Sequence, residues 1–594
     1  MNWEVRTMLL TRSFYNPALL RSDLRRTWPL LGAYTLLWVL ILPLHLLREL
    51  TESDPEFVAD NIRFVLEDAH AATTWINVFA GLIFAASLFS YLTSTRATYG
   101  LHSLPASRGC QFRTHVLCGV GGVLCGNVLT TVLALLAQLG SGVNWGRTLS
   151  WLVCSTVSFL LFFAIGVLCC MLCGWLPAVI VAYGAANGGV VLVQMLVNML
   201  RQIFYLSFND SLLNFGADHP VIWLTPVLRL QASMNNVALY AREAEVDTSG
   251  RWLTLLVYGI AAVVLLLGSC VLYRLRRSER SGDTLAFRPL QPVVRWAAGL
   301  LGGLGLGIVF AAIVSTMDDF ALLLGCSLLM GFACMTGAQM LIAKTPRVFK
   351  KLWPELLALW LVIAAICGCM DNDVFGYERR IPKPEQVVTV AVNANRWGSC
   401  ATSDPDEIDA VLQAHAYLQK NSGEASDNTG TSIILTYALK DGSTLSRVYH
   451  MEDRDRPGIL PLLETDSFRR SVVMDTPDVM RPDNQGSPAP ELKAQDLRTG
   501  YWDYDGQQEE LTQEQAQALY AAILDDAAAM DMTTVDLNES DRCLLNIHLQ
   551  KLEGDLYADL HLNSQCTRTL QLLQDWGIIE SPDDIFTVET YTDE

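Results

Sequence analysis

The amino-acid sequence reads SWLVCSTVSFLLFFAIGVLCCMLCGWLPAVIVAYGAANGGVVLVQMLVNML over residues 150–200. A helix of about 50 residues would be roughly 75 Å long, far more than the roughly 30 Å of hydrocarbon in a bilayer. Gly174 and Pro177 offer a break, since proline removes a helical hydrogen bond. The stretch therefore predicts two membrane spans joined by residues 173–176.

Further apolar stretches continue this pattern on both sides of residues 150–200. Together they predict nine spans, at residues 28–47, 75–94, 115–139, 150–172, 176–200, 252–273, 296–316, 320–343 and 353–370. None has a charged residue in its middle, where one would cost about 2.5 kcal/mol or more. We predict an α-helical polytopic membrane protein of about nine transmembrane helices, followed by an α+β extracytoplasmic domain.

Charge is divided unevenly along the 594 residues, whose net charge is −19. Residues 371–594 contain 17 Lys and Arg against 42 Asp and Glu, whereas residues 1–370 contain 25 against 19. An acidic chain does not suit nucleic acid, and a 51% hydrophobic, 17% charged composition does not suit disorder or an ordinary cytosolic enzyme. The balance indicates a membrane part followed by an acidic soluble part.

Basic residues predict the orientation in the membrane. With the N-terminus in the cytoplasm, the inner segments contain 18 Lys and Arg and the outer segments before residue 318 contain seven. This distribution follows the positive-inside rule. An odd number of spans then places residues 371–594 outside, and the first span serves as a signal anchor because it is too long for a cleavable signal.

The polar part reads as two similar α+β units. Helical spacing covers residues 404–418, and a Thr512-x-x-Gln515 capping box opens a helix to about Ala529. Each helix is followed by an alternating pattern typical of a hairpin, at 431–451 and 543–562. We propose that this domain is duplicated, with chance likeness as the alternative, and we expect a further helix near 566–577.

Two features of the polar part leave alternatives open. Residues 475–511 are rich in Pro, Gly, Asp and Gln and read as a loop. Its segment Tyr501-Trp-Asp-Tyr-Asp-Gly506 could hold a cation or a sugar ring, or could be a packed turn, and it fails as a calcium loop. Cys543 and Cys566 could form a disulfide or remain buried thiols.

Motifs for catalysis and cofactor binding do not occur in the sequence. No phosphate-binding Gly-x-x-x-x-Gly-Lys-Ser/Thr, no His-Glu-x-x-His and no Gly-x-Ser-x-Gly is present, and no histidine has metal-ligand spacing to a cysteine pair. We therefore predict no catalytic, cofactor-binding or metal residue and no enzymatic activity in this chain.

Polar residues inside the predicted spans are few. Those that could line a substrate path are Asn127, Tyr183, Asn187, Gln194 and Asn198. The alternative is hydrogen bonding between helices, worth about 1 kcal/mol each. Small-residue motifs that allow close helix contact occur at 122–126, 184–188 and 303–307.

Three segments on the predicted cytoplasmic side carry patterned apolar residues. They are Phe14-Tyr-Asn-Pro-Ala-Leu-Leu-Arg21, Leu101-His-Ser-Leu-Pro-Ala-Ser-Arg108 and Ser281-Gly-Asp-Thr-Leu-Ala-Phe287. The first opens a short helix with Leu20, Leu24 and Trp28 near one face, which can lie along the membrane surface before the chain turns in. A merely solvated connection would not need such residues.

These segments resemble bacterial ABC-2-type transporter permeases that carry a large C-terminal extracytoplasmic domain. The resemblance implies a surface helix at 14–26, an ATPase-docking loop at 95–114 and an outer loop with short helices at 201–251. It implies an N-terminus with interfacial helix (1–26) and a six-span permease core (27–295); the chain departs from the family's usual core by three added spans (296–370) and the acidic domain (371–594). The ATPase-coupling candidates that it implies are Gly100, Leu101, His102, Ser103, Leu104, Pro105 and Arg108.

Two functions remain open at this point. The first is a permease subunit in the bacterial cytoplasmic membrane, with membrane lipid around it, ATP on a separate ABC-type ATPase, and a second permease copy or paralogue as partner. The second is a membrane-anchored sensor whose acidic outer domain binds a ligand such as a cationic peptide. Neither the substrate nor the direction of transport follows from the sequence.

Overall fold

The structure is a computed structural model of the full chain. The residues described are 14–52, 58–103, 106–139, 145–205, 208, 220–234, 249–314, 319–394, 397–421, 431–440, 444–451, 456–475, 494, 497–504, 507–535, 543–551 and 557–586.

Within these residues, nine helices are long and apolar enough to cross a membrane, as the sequence predicts. The first consists of α1 (Pro17–Val39), a π-helical turn (Leu40–Leu44) and α2 (His45–Glu52). The others are α3 (Val58–Phe89), α5 (Arg108–Ala137), α6 (Trp145–Leu172), α7 (Leu176–Phe204), α10 (Ser249–Leu275), α11 (Leu290–Val314), α12 (Phe320–Ala343) and α13 (Phe349–Asp371). Between them lie α4 (Thr95–His102), α8 (Pro220–Trp223) and α9 (Pro226–Met234).

Helix α1 covers the segment 14–26 for which the sequence predicts a short surface helix. It runs without interruption from Pro17 to Val39, and a position of its first turns along the membrane surface stays a prediction. Asn16 caps it by accepting from the backbone N–H of Ala18 at 3.0 Å and of Leu19 at 3.2 Å. The N–H of Asn16 donates to the hydroxyl of Thr114 in α5 at 3.0 Å, so the start of α1 is held against α5.

Two of the three small-residue motifs are used for packing between helices of the chain. A Cβ added to Gly307 would lie 2.5 Å from the Cα of Ser327, so α11 and α12 are in backbone contact there. One added to Gly126 would lie 2.5 Å from Thr35 Oγ1. Among the described residues, nothing lies within 4 Å of a Cβ added to Gly184 or Gly188. Within the described residues, the motif in α7 is therefore not a helix contact.

The chain divides into two compact units. The first lies within Met1–Val197 and Phe215–Ala365, and the second within Asn198–Asn214 and Ile366–Glu594. The second unit takes in the predicted acidic domain together with the end of α7.

The described residues of the second unit contain two antiparallel sheets and five complete α-helices. The elements are β1 (Val387–Asn393), β2 (Ser399–Thr402), α14 (Pro405–Asn421), β3 (Thr431–Leu439), β4 (Thr444–Met451), α15 (Arg456–Leu463), α16 (Asp466–Val473), β5 (Met474–Asp475), β6 (Leu497–Tyr504), β7 (Gln507–Leu511), α17 (Gln513–Ala529), β8 (Asn546–Lys551), β9 (Tyr557–Leu560) and α18 (Thr567–Asp575). The strand orders are β2-β1-β3-β4 and β5-β9-β8-β6-β7. One hydrophobic core of buried residues joins both sheets.

The predicted helices and hairpins of this unit are present. The Thr512–Gln515 capping box opens α17, and Asp404 accepts from the N–H of Asp406 at 2.8 Å at the start of α14. Both halves follow the order strand, strand, helix, strand, strand, helix, and in both the first strand lies between the second and the third. This shared order supports the duplication, which remains our proposal.

The loop expected over 475–511 is wrong for residues 497–504 and 507–511, which form the β6–β7 hairpin, and residues 476–493 of that prediction lie outside the described residues. Trp502 points into the core and is 7% exposed, whereas Tyr501 lies on the other face with its ring 4.5 Å from that of His548. The hairpin was hard to see in the sequence because β7 is polar and its side chains at 508–510 are all exposed. Cys543 and Cys566 are not joined by a disulfide.

His415 is buried in the core of the second unit between two tyrosines. Its Nδ1 lies 2.9 Å from the hydroxyl of Tyr437, and its Nε2 lies 2.9 Å from that of Tyr449. Burial, reinforced by nearby Arg447, lowers the pKa of His415 from 6.5 to about 4. The imidazole is therefore neutral at physiological pH.

Candidate functional site

The loop after the second span and the loop after the sixth span meet in the structure. Thr98 of α4 and Ser281 share a hydrogen bond of 2.9 Å between their hydroxyl groups. The residues around this contact form what we call the loop junction: Leu92, Thr98, His102, Arg108, Tyr273, Arg276, Ser278 and Ser281. Two of the three patterned segments found in the sequence thus belong to one site.

Arg276 is the buried cation of the loop junction. Its guanidinium donates to the carbonyl oxygens of Cys170, Met171 and Cys173 at 2.6, 3.0 and 3.0 Å. It also donates to the carbonyl of Leu92 at 3.1 Å. The last carbonyls of a helix have no partner within the helix and carry partial negative charge, so a cation suits this place. Arg276 therefore joins the end of α6 to the end of the second span.

Burial lowers the pKa of the Arg276 guanidinium from its usual value. The side chain is only 4% exposed in the structure. An arginine nevertheless stays protonated in proteins. The four carbonyl oxygens thus replace the water that the charge has lost.

His102 connects α4 to α10. Its Nε2 lies 3.1 Å from the hydroxyl of Tyr273, and its Nδ1 lies 3.1 Å from that of Ser278. The Tyr273 hydroxyl donates to Gln111 and accepts from Tyr91, so the His102 Nε2–H must be the donor to it. Nδ1 then accepts from Ser278.

The protonation state of His102 agrees with this arrangement. Desolvation, with the charges of Arg108 and Arg276, lowers its pKa. A neutral imidazole has one donor and one acceptor nitrogen, which is what Tyr273 and Ser278 require.

Arg108 and Gln111, at the start of α5, hold the other side of the junction. Arg108 donates to the carbonyl of Arg276 at 2.7 Å and to the hydroxyl of Ser278 at 2.9 Å. Gln111 donates to the carbonyl of Leu101 at 3.1 Å. Both α4 and the start of α5 are thereby tied to the loop junction.

The backbone between α6 and α7 is also tied to the loop after α10. The N–H of Gly174 donates to the carbonyl of Asp283 at 2.9 Å, and the N–H of Ala286 donates to that of Leu172 at 2.8 Å. A Cβ on Gly174 would lie 2.6 Å from the Asp283 carbonyl, so glycine is needed for this approach. The junction thus connects the ends of five apolar helices.

The side of α4 that faces away from the junction is exposed. Arg96, Tyr99, Gly100 and Ser103 are exposed, and their spacing of three and four residues places them on one side of a helix. We call these four residues the α4 outer face. Tyr99 is 53% exposed. Helix α4, which the loop junction holds in place, thus presents an aromatic and a basic side chain on its exposed surface.

The sequence-predicted coupling residues fall into three groups. His102 and Arg108 lie in the loop junction, and Leu101 accepts a hydrogen bond there. Gly100 and Ser103 belong to the α4 outer face. Leu104 and Pro105 lie outside the described residues.

The loop junction is packed too tightly for a ligand. The space among its side chains does not admit a water-sized sphere. Small-molecule sites measure roughly 300–1,000 Å³. The arrangement is therefore suited to holding helices together.

The substrate-path candidate Asn127 lies in a buried polar cluster that links four spans. The hydroxyl of Tyr34 lies 3.0 Å from Oδ1 of Asn77 and 3.0 Å from Oδ1 of Asn127. Asn77 donates to the carbonyl of Ser155 at 3.0 Å. In the structure, Asn127 therefore takes part in hydrogen bonding between helices.

The other four candidates lie on α7. The Tyr183 hydroxyl donates to the carbonyl of Val78 at 2.7 Å, and the Asn187 amide donates to the carbonyl of Tyr183 at 2.9 Å. Asn187 and Asn198 are buried, whereas Gln194 is half-buried. A role for these residues along a substrate path remains a prediction.

Sequence reasoning missed the most deeply buried groups of the junction. Arg276 was counted only as a basic residue of an inner loop, and Tyr91 and Tyr273 were read as apolar span residues. The hydroxyl groups of Tyr91 and Tyr273 are hydrogen-bonded although 182 residues separate them in the sequence. The available signal was their position at the ends of spans, next to loops with patterned residues.

Comparison with known proteins gives no match to a protein-family model, a curated protein or a solved structure. In the part of the chain that the structure describes, no group of three or more His, Cys, Asp or Glu residues is placed to hold a metal ion.

Proposed function

We propose that this chain is the permease subunit of an ABC transporter in a bacterial cytoplasmic membrane. A separate ATPase supplies ATP hydrolysis and docks on the α4 outer face, and the permease moves a substrate that is not identified. The observation that supports this most strongly is the loop junction, because it connects an exposed helix to the ends of several membrane helices through buried hydrogen bonds.

The junction explains how a push on α4 would reach the membrane. His102 passes force from α4 to α10, and Arg276 passes it from there to the end of α6. A buried hydrogen bond from the charged Arg276 is worth about 1.5–3 kcal/mol and one from the neutral His102 about 0.5–1.5 kcal/mol, so these contacts resist separation. Displacement of α4 by a closing ATPase would therefore tilt the connected helices together.

The orientation proposed for this function comes from the basic residues. They place the N-terminus and α4 in the cytoplasm, where an ATPase would find ATP, and the second unit outside the cell. The predicted second permease, a copy or a paralogue, would complete the transporter.

A photocrosslinking experiment tests the docking proposal. A photoreactive phenylalanine analogue replaces Tyr99, and in a matched control it replaces Trp145, which is also exposed but lies at the start of α6. We expect position 99 to capture a subunit that binds ATP, and position 145 not to capture it. Capture of that subunit at both positions, or at neither, would contradict the assignment of α4.

The sensor function is the second candidate, favoured by the strongly acidic residues 371–594. It predicts that position 99 captures a kinase and that no ATP-dependent substrate movement accompanies the complex. Because a kinase also binds ATP, the captured subunit is identified by its sequence: a transport ATPase supports the permease, and a protein kinase supports the sensor.

A further inference from the structure

The turn that follows α13 exposes two large apolar side chains. Val374 and Phe375 are 63% and 79% exposed, and they come three and four residues after Asp371, where a helix long enough to cross a membrane ends. A bilayer has a polar layer of roughly 5–8 Å on each side of its hydrocarbon core. A turn so close to the end of a span lies at the level of this layer, within reach of the acyl chains.

Hydrogen bonds hold this turn in one conformation. The N–H of Asp373 donates to the carbonyl of Met370 at 3.1 Å. The N–H of Val374 donates to the carbonyl of Cys369 at 3.0 Å, which completes a Schellman arrangement at the end of the helix. Asp373 has a φ of 41°, and its carboxylate accepts from the N–H of Tyr377 at 2.6 Å. The exposure of the apolar side chains is therefore built into the turn.

Tyr377 attaches the end of the turn to the core of the second unit. Its ring is stacked on that of Tyr205 with 4.8 Å between the centroids, and the guanidinium of Arg447 lies over it at 4.1 Å. Arg447 is fully buried and also donates to the carbonyl of Tyr377 at 2.7 Å. The apolar side chains of the turn cannot fold back onto the unit without breaking these contacts.

Three exposed basic residues follow the turn. They are Arg379, Arg380 and Lys383. With Glu378 as the one acidic residue among them, residues 374–383 have a net charge of +2. Residues 371–594 together contain 17 Lys and Arg against 42 Asp and Glu, a net charge of −25. The composition of the acidic domain therefore does not explain a basic segment beside the span.

We propose that residues 374–383 are a binding surface for anionic phospholipid. Val374 and Phe375 insert among the acyl chains, and the basic side chains bind the phosphate groups through charge-assisted hydrogen bonds. The chain keeps Arg379 and Arg380 within about 18 Å of Phe375, so both guanidinium groups reach the same layer of the bilayer. Basic residues beside a span attract anionic lipid on either side of a membrane, so the surface depends neither on the orientation nor on an ATPase.

Quenching by nitroxide-labelled lipid tests the insertion. A fluorescent amino acid that emits at longer wavelengths than tryptophan replaces Phe375 in the full chain, which is placed in lipid nanodiscs with a nitroxide on the upper part of an acyl chain. In a matched control it replaces Leu544, an apolar residue of the second unit that is 50% exposed and does not follow a span. We expect at least about threefold stronger quenching at position 375 than at position 544. No quenching at position 375, or equal quenching at both, would overturn the proposal and leave a protein partner or water to cover the turn.

The same probe tests the part played by the basic residues. Anionic phosphatidylglycerol and zwitterionic phosphatidylcholine are mixed equally in the nanodiscs, and each in turn carries the nitroxide. We expect labelled phosphatidylglycerol to quench the probe at position 375 at least about twice as strongly, because it gathers at the basic side chains.

Two triple variants complete this test. The preference for phosphatidylglycerol should disappear when the basic residues of the surface are removed, by Arg379→Ala, Arg380→Ala and Lys383→Ala. It should remain when three other exposed basic residues of the second unit are removed, by Lys420→Ala, Lys440→Ala and Arg498→Ala. Equal quenching by the two lipids without either triple replacement would overturn the proposal, and so would a preference that survives removal of the surface residues. The first of these comparisons needs no variant of the basic residues to fold.

Discussion

Replacing Arg276 should loosen the loop junction without unfolding the chain. Arg276→Met removes a charged donor from four carbonyl oxygens. Hydrogen bonds from a charged group contribute about 1.5–3 kcal/mol each, which gives a gross loss of roughly 6–12 kcal/mol. The variant also avoids the desolvation free energy of several kcal/mol that burying the guanidinium costs, and this offsets part of the loss. The expected net loss is therefore about 3–5 kcal/mol, felt locally.

Hydrogen exchange measured by mass spectrometry can detect a loss of this size. A decrease of about 3 kcal/mol in the local opening free energy speeds exchange by roughly 100-fold, since each 1.4 kcal/mol is about a factor of ten. We expect this acceleration in peptides covering residues 95–102 and 276–286. Arg276→Lys, which keeps the charge but not the planar fork of donors, should give a smaller acceleration.

The neighbouring Arg277 provides the matched control. It is the same residue type one position away and is exposed. Arg277→Met should leave exchange in both peptides within about threefold of the wild type, a change of less than about 1 kcal/mol. Equal acceleration in the two variants, or none in Arg276→Met, would show that Arg276 does not hold these helix ends.

Two further predictions concern the second unit and the helix packing. Because the pKa of His415 is about 4 when folded and 6.5 when unfolded, the stability that the neutral ring provides is complete above pH 6.5 and is lost as the pH falls to about 4. The loss is about 3 kcal/mol, and denaturant unfolding at pH 7.5 and 4.5 should show it in the wild type and not in His415→Gln. Gly307→Ala should destabilise the first unit by about 1–3 kcal/mol because the new Cβ meets the backbone of α12, whereas Gly184→Ala should be neutral; equal thermal unfolding of the two purified variants would contradict this.

The apolar helices could be read from the sequence because membrane insertion depends on composition along the chain. Residues 150–200 break at 173–176 as predicted, between α6 and α7. The caps of α14 and α17 were also readable, since Asp404 and Thr512 act on backbone groups two or three residues away. Local hydrogen bonds leave local sequence signals.

The start of α1 shows a feature that such reading leaves out. In the structure Asp23 is buried against His115, 92 residues away, and the helix Pro17–Val39 runs past this contact without a break. A buried carboxylate requires a partner, and composition cannot show a partner that another helix supplies.

The sequence by itself determined how many apolar helices form and roughly where each begins and ends, and it separated them from an acidic α+β region. It also identified the loops that carry apolar residues, and it supplied the basic residues on which the predicted orientation depends. Only the tertiary structure decided that Arg276, His102 and Tyr273 meet, and that Asp23 faces His115. The physical reason is that hydropathy acts on each segment alone, whereas a buried charge or hydroxyl requires a partner supplied by a distant segment.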